Sequence, residues 1–173
     1  MTSSETSVAS MRRSQQVLCA SLMSSLVVIL MAVAFTLGSA GTGSAPVCAY
    51  AVVAAVAVGQ TALIGSFGYR IDAIAPGTPE EDARTASVAA LQRTTILRFA
   101  LAESVALVAL ALAFVVDEGG LFVLALGVLA AEALMVVHVW PSERVVRRTQ
   151  EALERDGARS YFREALDSPP PAR

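Results

Sequence analysis

The chain has 173 residues, 55% of them apolar and only 16% charged, with a formal charge of −2 at pH 7. That balance lies outside the usual soluble range, and the lack of a basic stripe interleaved with aromatics excludes a nucleic-acid partner. The length suits one compact domain, and all thirteen cations are arginine, a bias that with the abundant Ala and Val points to a GC-rich bacterial genome.

The apolar residues fall in two blocks. No charged side chain lies between Arg13 and Arg70, and from Phe99 to Trp140 the only interruptions are Glu103, Asp117, Glu118, Glu132 and His138. A soluble domain of this size has no interior for both blocks, whereas a bilayer accepts them. Residues 1–13, polar and rich in Ser and Thr, read as a disordered tail. The first span is expected at 17–38, 22 uncharged residues that would cover about 33 Å as a helix. A cleaved signal peptide ending at Gly38-Ser39-Ala40 is the rival reading, but a signal h-region is shorter than this run.

After a turn of small residues at 39–46, the second span is expected at 47–69. Residues 70–95 form the long polar connection, in which Thr78 suits a helix cap, Pro79 the first helical position and Glu81 a capping-box carboxylate. No breaker follows before Gly119, so one helix is predicted from Thr78 through the third span, 96–116. Asp117-Glu118-Gly119-Gly120 makes a tight turn into the fourth span, 121–140, where Trp140 suits the headgroup level and Pro141 ends the helix.

Residues 141–173 are expected to hold an amphipathic helix capped by Ser142, with an apolar stripe of Val145, Val146, Thr149, Ala152 and Leu153, a stop at Gly157, and a frayed tail from Asp167. Arg144, Arg147 and Arg148 follow directly on the fourth span. They would draw this helix to anionic lipid at about 1 kcal/mol each.

Arginines sit in the N-terminal tail, the central connection and the C-terminal tail, and in neither short turn. The positive-inside rule therefore puts both termini and residues 70–95 in the cytoplasm. Cys19 and Cys48 then lie at opposite faces, too far apart for a disulfide. The expected architecture is an all-α polytopic membrane protein, four transmembrane helices in two hairpins (14–140) with cytoplasmic helical extensions, in the cell (inner) membrane.

Phosphate-binding glycine loops, dinucleotide fingerprints, CxxC and HExxH motifs are absent, and no Ser or Cys has a credible His partner. The single histidine, His138, cannot build a zinc site alone. No catalytic, cofactor or metal site is expected. The informative residues are the carboxylates inside the spans, which are costly in lipid and normally face the bundle interior or water. Helix rise puts Glu103 about 7 Å, Glu132 about 12 Å and Gln60 about 15 Å from the arginine-bearing boundary. Together with Arg98 and His138 they form a candidate intramembrane polar cluster. It reads either as a knot that glues helices together or as a proton- or cation-binding site; Glu103 facing Glu132 would titrate as a coupled pair, while Glu103 reaching Arg98 would form a salt bridge.

Residues 100–107, Ala-Leu-Ala-Glu-Ser-Val-Ala-Leu, resemble the ion-binding helix of the rotary ATPase proteolipid, subunit c. The resemblance implies a proton carried on Glu103, although that family's glycine-repeat helix and polar loop have no counterpart here. As a whole the chain resembles the small uncharacterised four-span membrane proteins of actinobacteria, which implies location only. The expected function is that of a non-enzymatic accessory or interaction protein, working through its cytoplasmic helices with a homo-oligomer or another membrane protein as partner. The alternative is a small oligomeric proton-coupled transporter using the intramembrane carboxylates.

Overall fold

The computed structural model describes residues 11–167. The terminal segments read as tails fall, from 1 to 10 and from 168 to 173, outside them. The described chain is all helical: α1 (Met11–Leu37), α2 (Val47–Phe67), α3 (Glu80–Val115), α4 (Gly120–His138), α5 (Glu143–Leu153) and α6 (Phe162–Asp167). Helices α1 to α4 are long and apolar enough to cross a membrane.

Prolines set three of the starts. Pro46 and Pro79 are the N-cap residues of α2 and α3, and Pro141 lies just before the N-cap Ser142 of α5. Fixed φ and a missing N–H make proline harmless there. The expected cap at Thr78 is displaced by one residue. Its hydroxyl turns back to donate to the Ala75 carbonyl at 2.7 Å, closing the loop, while the Pro79 carbonyl accepts the Ala83 N–H at 2.9 Å. Glu80, Glu81 and Asp82 fill the first turn of α3, where negative charge complements the helix dipole. Ser142 occupies its expected N-cap position but makes no side-chain cap bond.

Helix α3 organises the molecule. At 36 residues it is about 54 Å long, well beyond a hydrocarbon core near 30 Å. Its buried residues form one stripe: Ala83, Ser87 and Leu91, then Thr94, Thr95 and Arg98, then Ala102, Val105, Ala109 and Ala113. The three- and four-residue spacing keeps them on one face, so one face serves three layers in succession. The last layer packs against α4, whose facing residues Val123, Gly127 and Ala131 are also mostly small. Small side chains let the backbones approach closely. Helix α2 packs on both α3 and α4, and α1 packs on α4.

The two short turns meet at one end. The turn after α1 folds as a 3-10 segment, Gly38–Thr42, and Gly119 lies against the backbone of Gly43 and Ala45. Gly119 has φ of +72°, so the hairpin between α3 and α4 needs a residue without a side chain there.

At the other end lies a second hydrophobic core, separate from that of the bundle. Ile71 and Ile74 from the connection, Ala83 and Leu91 from α3, Val146 and Leu153 from α5, and Phe162 and Leu166 from α6 are all buried in it. The Ile74 N–H donates to the Leu153 carbonyl at 2.9 Å, and the Ser87 hydroxyl to the Ser160 carbonyl at 2.9 Å. The helical extensions expected before the third span and after the fourth thus join as one module. The stripe expected to lie on lipid is spent inside the protein: Val145, Val146, Thr149 and Leu153 are all buried. Helix α6 lies between the expected stop at Gly157 and the expected tail, where no helix was expected. Six residues are too few to show a helical period, and Phe162 and Leu166 reveal their role only once a core exists to receive them.

Glu154 staples this module. Its carboxylate accepts from the Ser160 backbone N–H (3.0 Å), the Ser160 hydroxyl (2.6 Å) and the Gln150 amide. Burial pushes its pKa up, but these bonds outweigh that and hold it below the ordinary carboxylate value. A depressed folded pKa contributes stability that is present above the unfolded value near about 4.3 and lost as pH falls through the lower folded value. Glu154→Gln should therefore lower the unfolding temperature at pH 7 and shrink the difference between pH 7 and pH 3, measured by thermal unfolding in detergent. An unchanged difference would remove Glu154 from this role.

Candidate functional site

Between the two cores lies a polar girdle centred on Arg98. Thr94 and Thr95 stand four and three residues before it on α3, the spacing at which side chains meet on a helix. Arg98 Nε donates to the Thr94 carbonyl at 3.1 Å, and Nη2 lies 3.5 Å from the Thr94 hydroxyl and 3.3 Å from that of Thr95. Its guanidinium carbon stands 4.6 Å from the centre of the Tyr69 ring, just past the end of α2. The Tyr69 hydroxyl is 3.2 Å from Nδ1 of His138, the last residue of α4. Arg148 of α5 approaches the same ring at 5.2 Å. One aromatic ring thus joins α2, α3, α4 and α5. Nearby, the Cys19 thiol of α1 donates to the Val139 carbonyl at 3.8 Å.

Arg98 has 0% of its surface exposed, and its Nη1 faces no acceptor. A buried charge normally has a carboxylate partner. Here the ion is held by hydroxyls, a carbonyl and a π face, which attract it by a cation–π interaction.

Of the residues expected to form an intramembrane cluster, the structure brings Arg98 and His138 together, through Tyr69. Among the described residues no hydrogen bond or ion pair joins Glu103, Glu132 or Gln60 to each other or to Arg98. Glu103 is half-buried, and the salt bridge considered for it is not formed: Arg98 points to Thr94, Thr95 and Tyr69 instead. Glu132 Oε1 and Gln60 Oε1 are each sealed from solvent without a partner. Depth along a span follows from residue count, but rotation about the helix axis does not, so equal depth did not bring these groups into contact. Tyr69, Thr94, Thr95 and Arg148 were missed from sequence. The threonines were legible as i−4 and i−3 partners of Arg98; Tyr69 and Arg148 come from other helices and left no local signal.

No known family model, curated protein or solved structure matches this chain.

Proposed function

We propose that this is a multi-pass protein of the cell membrane, with both termini cytoplasmic, acting as a non-enzymatic accessory or interaction subunit through the module at its arginine end. The observation that supports this most is the second core. Two segments separated by apolar helices, 71–91 and 146–166, come together there and pack as a folded unit, which gives a binding partner a defined surface rather than loose tails. The one-sided arginine distribution supports the orientation.

The test is a complex whose integrity depends on the module. Phe162, fully buried in the second core, is the lever. The chain, gently solubilised, should migrate as a defined complex, and Phe162→Asp should reduce it to the monomer while leaving membrane insertion intact. Wild type running as a monomer, or a complex indifferent to Phe162→Asp, would overturn the reading. An impermeant thiol reagent should leave a cysteine at 156 unlabelled in intact cells.

The alternative, an oligomeric proton-coupled transporter, draws on the unpartnered oxygens of Glu132 and Gln60. The proteolipid likeness supports it less, since Glu103 is half-buried and has no hydrogen bond or ion pair to another side chain among the described residues. Proton-driven uptake in vesicles separates the two: under the leading reading wild type and Glu132→Gln behave alike, whereas uptake lost specifically in Glu132→Gln would favour the transporter.

A further inference from the structure

Eleven of the arginines fall into two classes. Six of them make ion pairs, Arg12 with Asp167, Arg84 with Glu80, Arg147 with Glu151, Arg155 with Asp156, Arg159 with Glu164 and Arg163 with Glu143. Another five, Arg70, Arg93, Arg98, Arg144 and Arg148, form no ion pair with a carboxylate among the described residues. These five sit where the chain leaves the apolar helices: just past α2, where α3 enters the bundle, and at the start of α5.

Two of them line a cavity of about 570 Å³, within the range of sites that hold small ligands. One wall is a single face of α3, with Ala86, Ala89, Ala90, Arg93 and Leu97 in sequence, and the other is the connection from Arg70 to Thr78. Arg70 is fixed in place: its Nε donates to the Ser66 carbonyl at 3.0 Å and its guanidinium stacks 4.2 Å from the Phe67 ring centre. Its remaining N–H groups make no hydrogen bond among the described residues. Arg93 has no hydrogen bond or ion pair among the described residues. Asp72 also lines the cavity, leaving it one positive charge in excess. Above Arg93 by about one helical turn, Leu97 and Ile96 are exposed, as is Phe67, so the cationic cavity opens onto the apolar surface of the bundle.

We propose that this cavity binds an anionic phospholipid, the phosphate between Arg70 and Arg93 and the acyl chains running along Leu97 and Phe67. The alanine floor offers a smooth wall, and two arginines match the oxygens of a phosphate. A soluble anion would gain nothing from the apolar flank. Anionic lipid at Arg144, Arg147 and Arg148 was the expectation from sequence; Arg147 is paired with Glu151 and Arg148 lies over Tyr69. The proposed site is separate from those three arginines.

The experiment is thermal unfolding of the full chain in a neutral detergent with added phosphatidylglycerol, phosphatidylcholine or glycerol 3-phosphate. Phosphatidylglycerol should raise the midpoint by roughly 5 °C at saturation, and the other two should not. The double variant Arg70→Gln/Arg93→Gln should lose that rise, while Arg147→Gln keeps it. Equal shifts from both phospholipids, or a full response from the double variant, would overturn the proposal. A rise from glycerol 3-phosphate matching that from phosphatidylglycerol would overturn it in favour of a soluble anion. Native mass spectrometry of the wild type gives a readout independent of variant folding: retention of phosphatidylglycerol over phosphatidylcholine supports the site, and equal retention refutes it.

Discussion

Arg98→Ala should destabilise the protein by roughly 3–5 kcal/mol, the range for emptying a large buried site. The side chain fills the layer between the two cores, and alanine removes its contacts with Tyr69, Thr94 and Thr95. Arg98→Met decides whether volume or charge matters. The guanidinium is fully buried without a carboxylate, and its Nη1 faces no acceptor, so its desolvation is poorly compensated. Replacing a buried ion by an apolar side chain of similar size is often neutral or stabilising. Methionine should therefore recover most of the stability lost in alanine, read as the unfolding midpoint in neutral detergent. A methionine variant as unstable as alanine would show that the π contact and hydroxyl bonds hold the charge favourably.

Gly127→Leu should disrupt the central hairpin. A Cβ at position 127 would stand 2.1 Å from the Ala109 Cβ and 3.3 Å from the Val105 carbonyl oxygen. The first neighbour is a Cβ fixed to the α3 backbone, so the helices themselves must separate. Overpacking in a tight core costs about 1–3 kcal/mol, and here the damage extends along α3 and α4, because the spacing set at Gly127 also governs Ala113 against Gly120. Loss of folded protein on gel filtration after solubilisation is the expected result, with Gly127→Ala intermediate. Normal yield and melting of Gly127→Leu would mean that α3 and α4 do not pack this closely. Gly59 and Gly65 on α2 have open space around them, and alanine at either should be tolerated.

The contrast between these glycines shows where sequence reasoning stops. All three lie in apolar helices and look alike in the sequence, yet only Gly127 sits at a helix crossing. A crossing depends on how each helix is rotated about its axis, and α1 to α4 are apolar nearly all round, so no polar face gives that rotation away. Counting residues puts Glu132 and Gln60 at similar depths, and among the described residues they still make no bond to each other, for the same reason.

What the sequence determined by itself is whatever depends on neighbours along the chain. Uninterrupted apolar runs required four helices of spanning length; Pro46, Pro79 and Pro141 set helix starts, the pair Gly119-Gly120 forced the hairpin, and the absence of a breaker between Pro79 and Gly119 made α3 a single long rod. Tertiary structure alone decided that α5 turns its apolar stripe inward, because partners in the core that holds Val146 and Leu153, such as Ile71 and Leu91, come from a distant part of the chain. It also decided that Arg98 reaches Tyr69 rather than Glu103, since the ring arrives from α2 across the bundle. An amphipathic stripe and a buried cation each announce a need for a partner, and only the packed fold selects which one meets it.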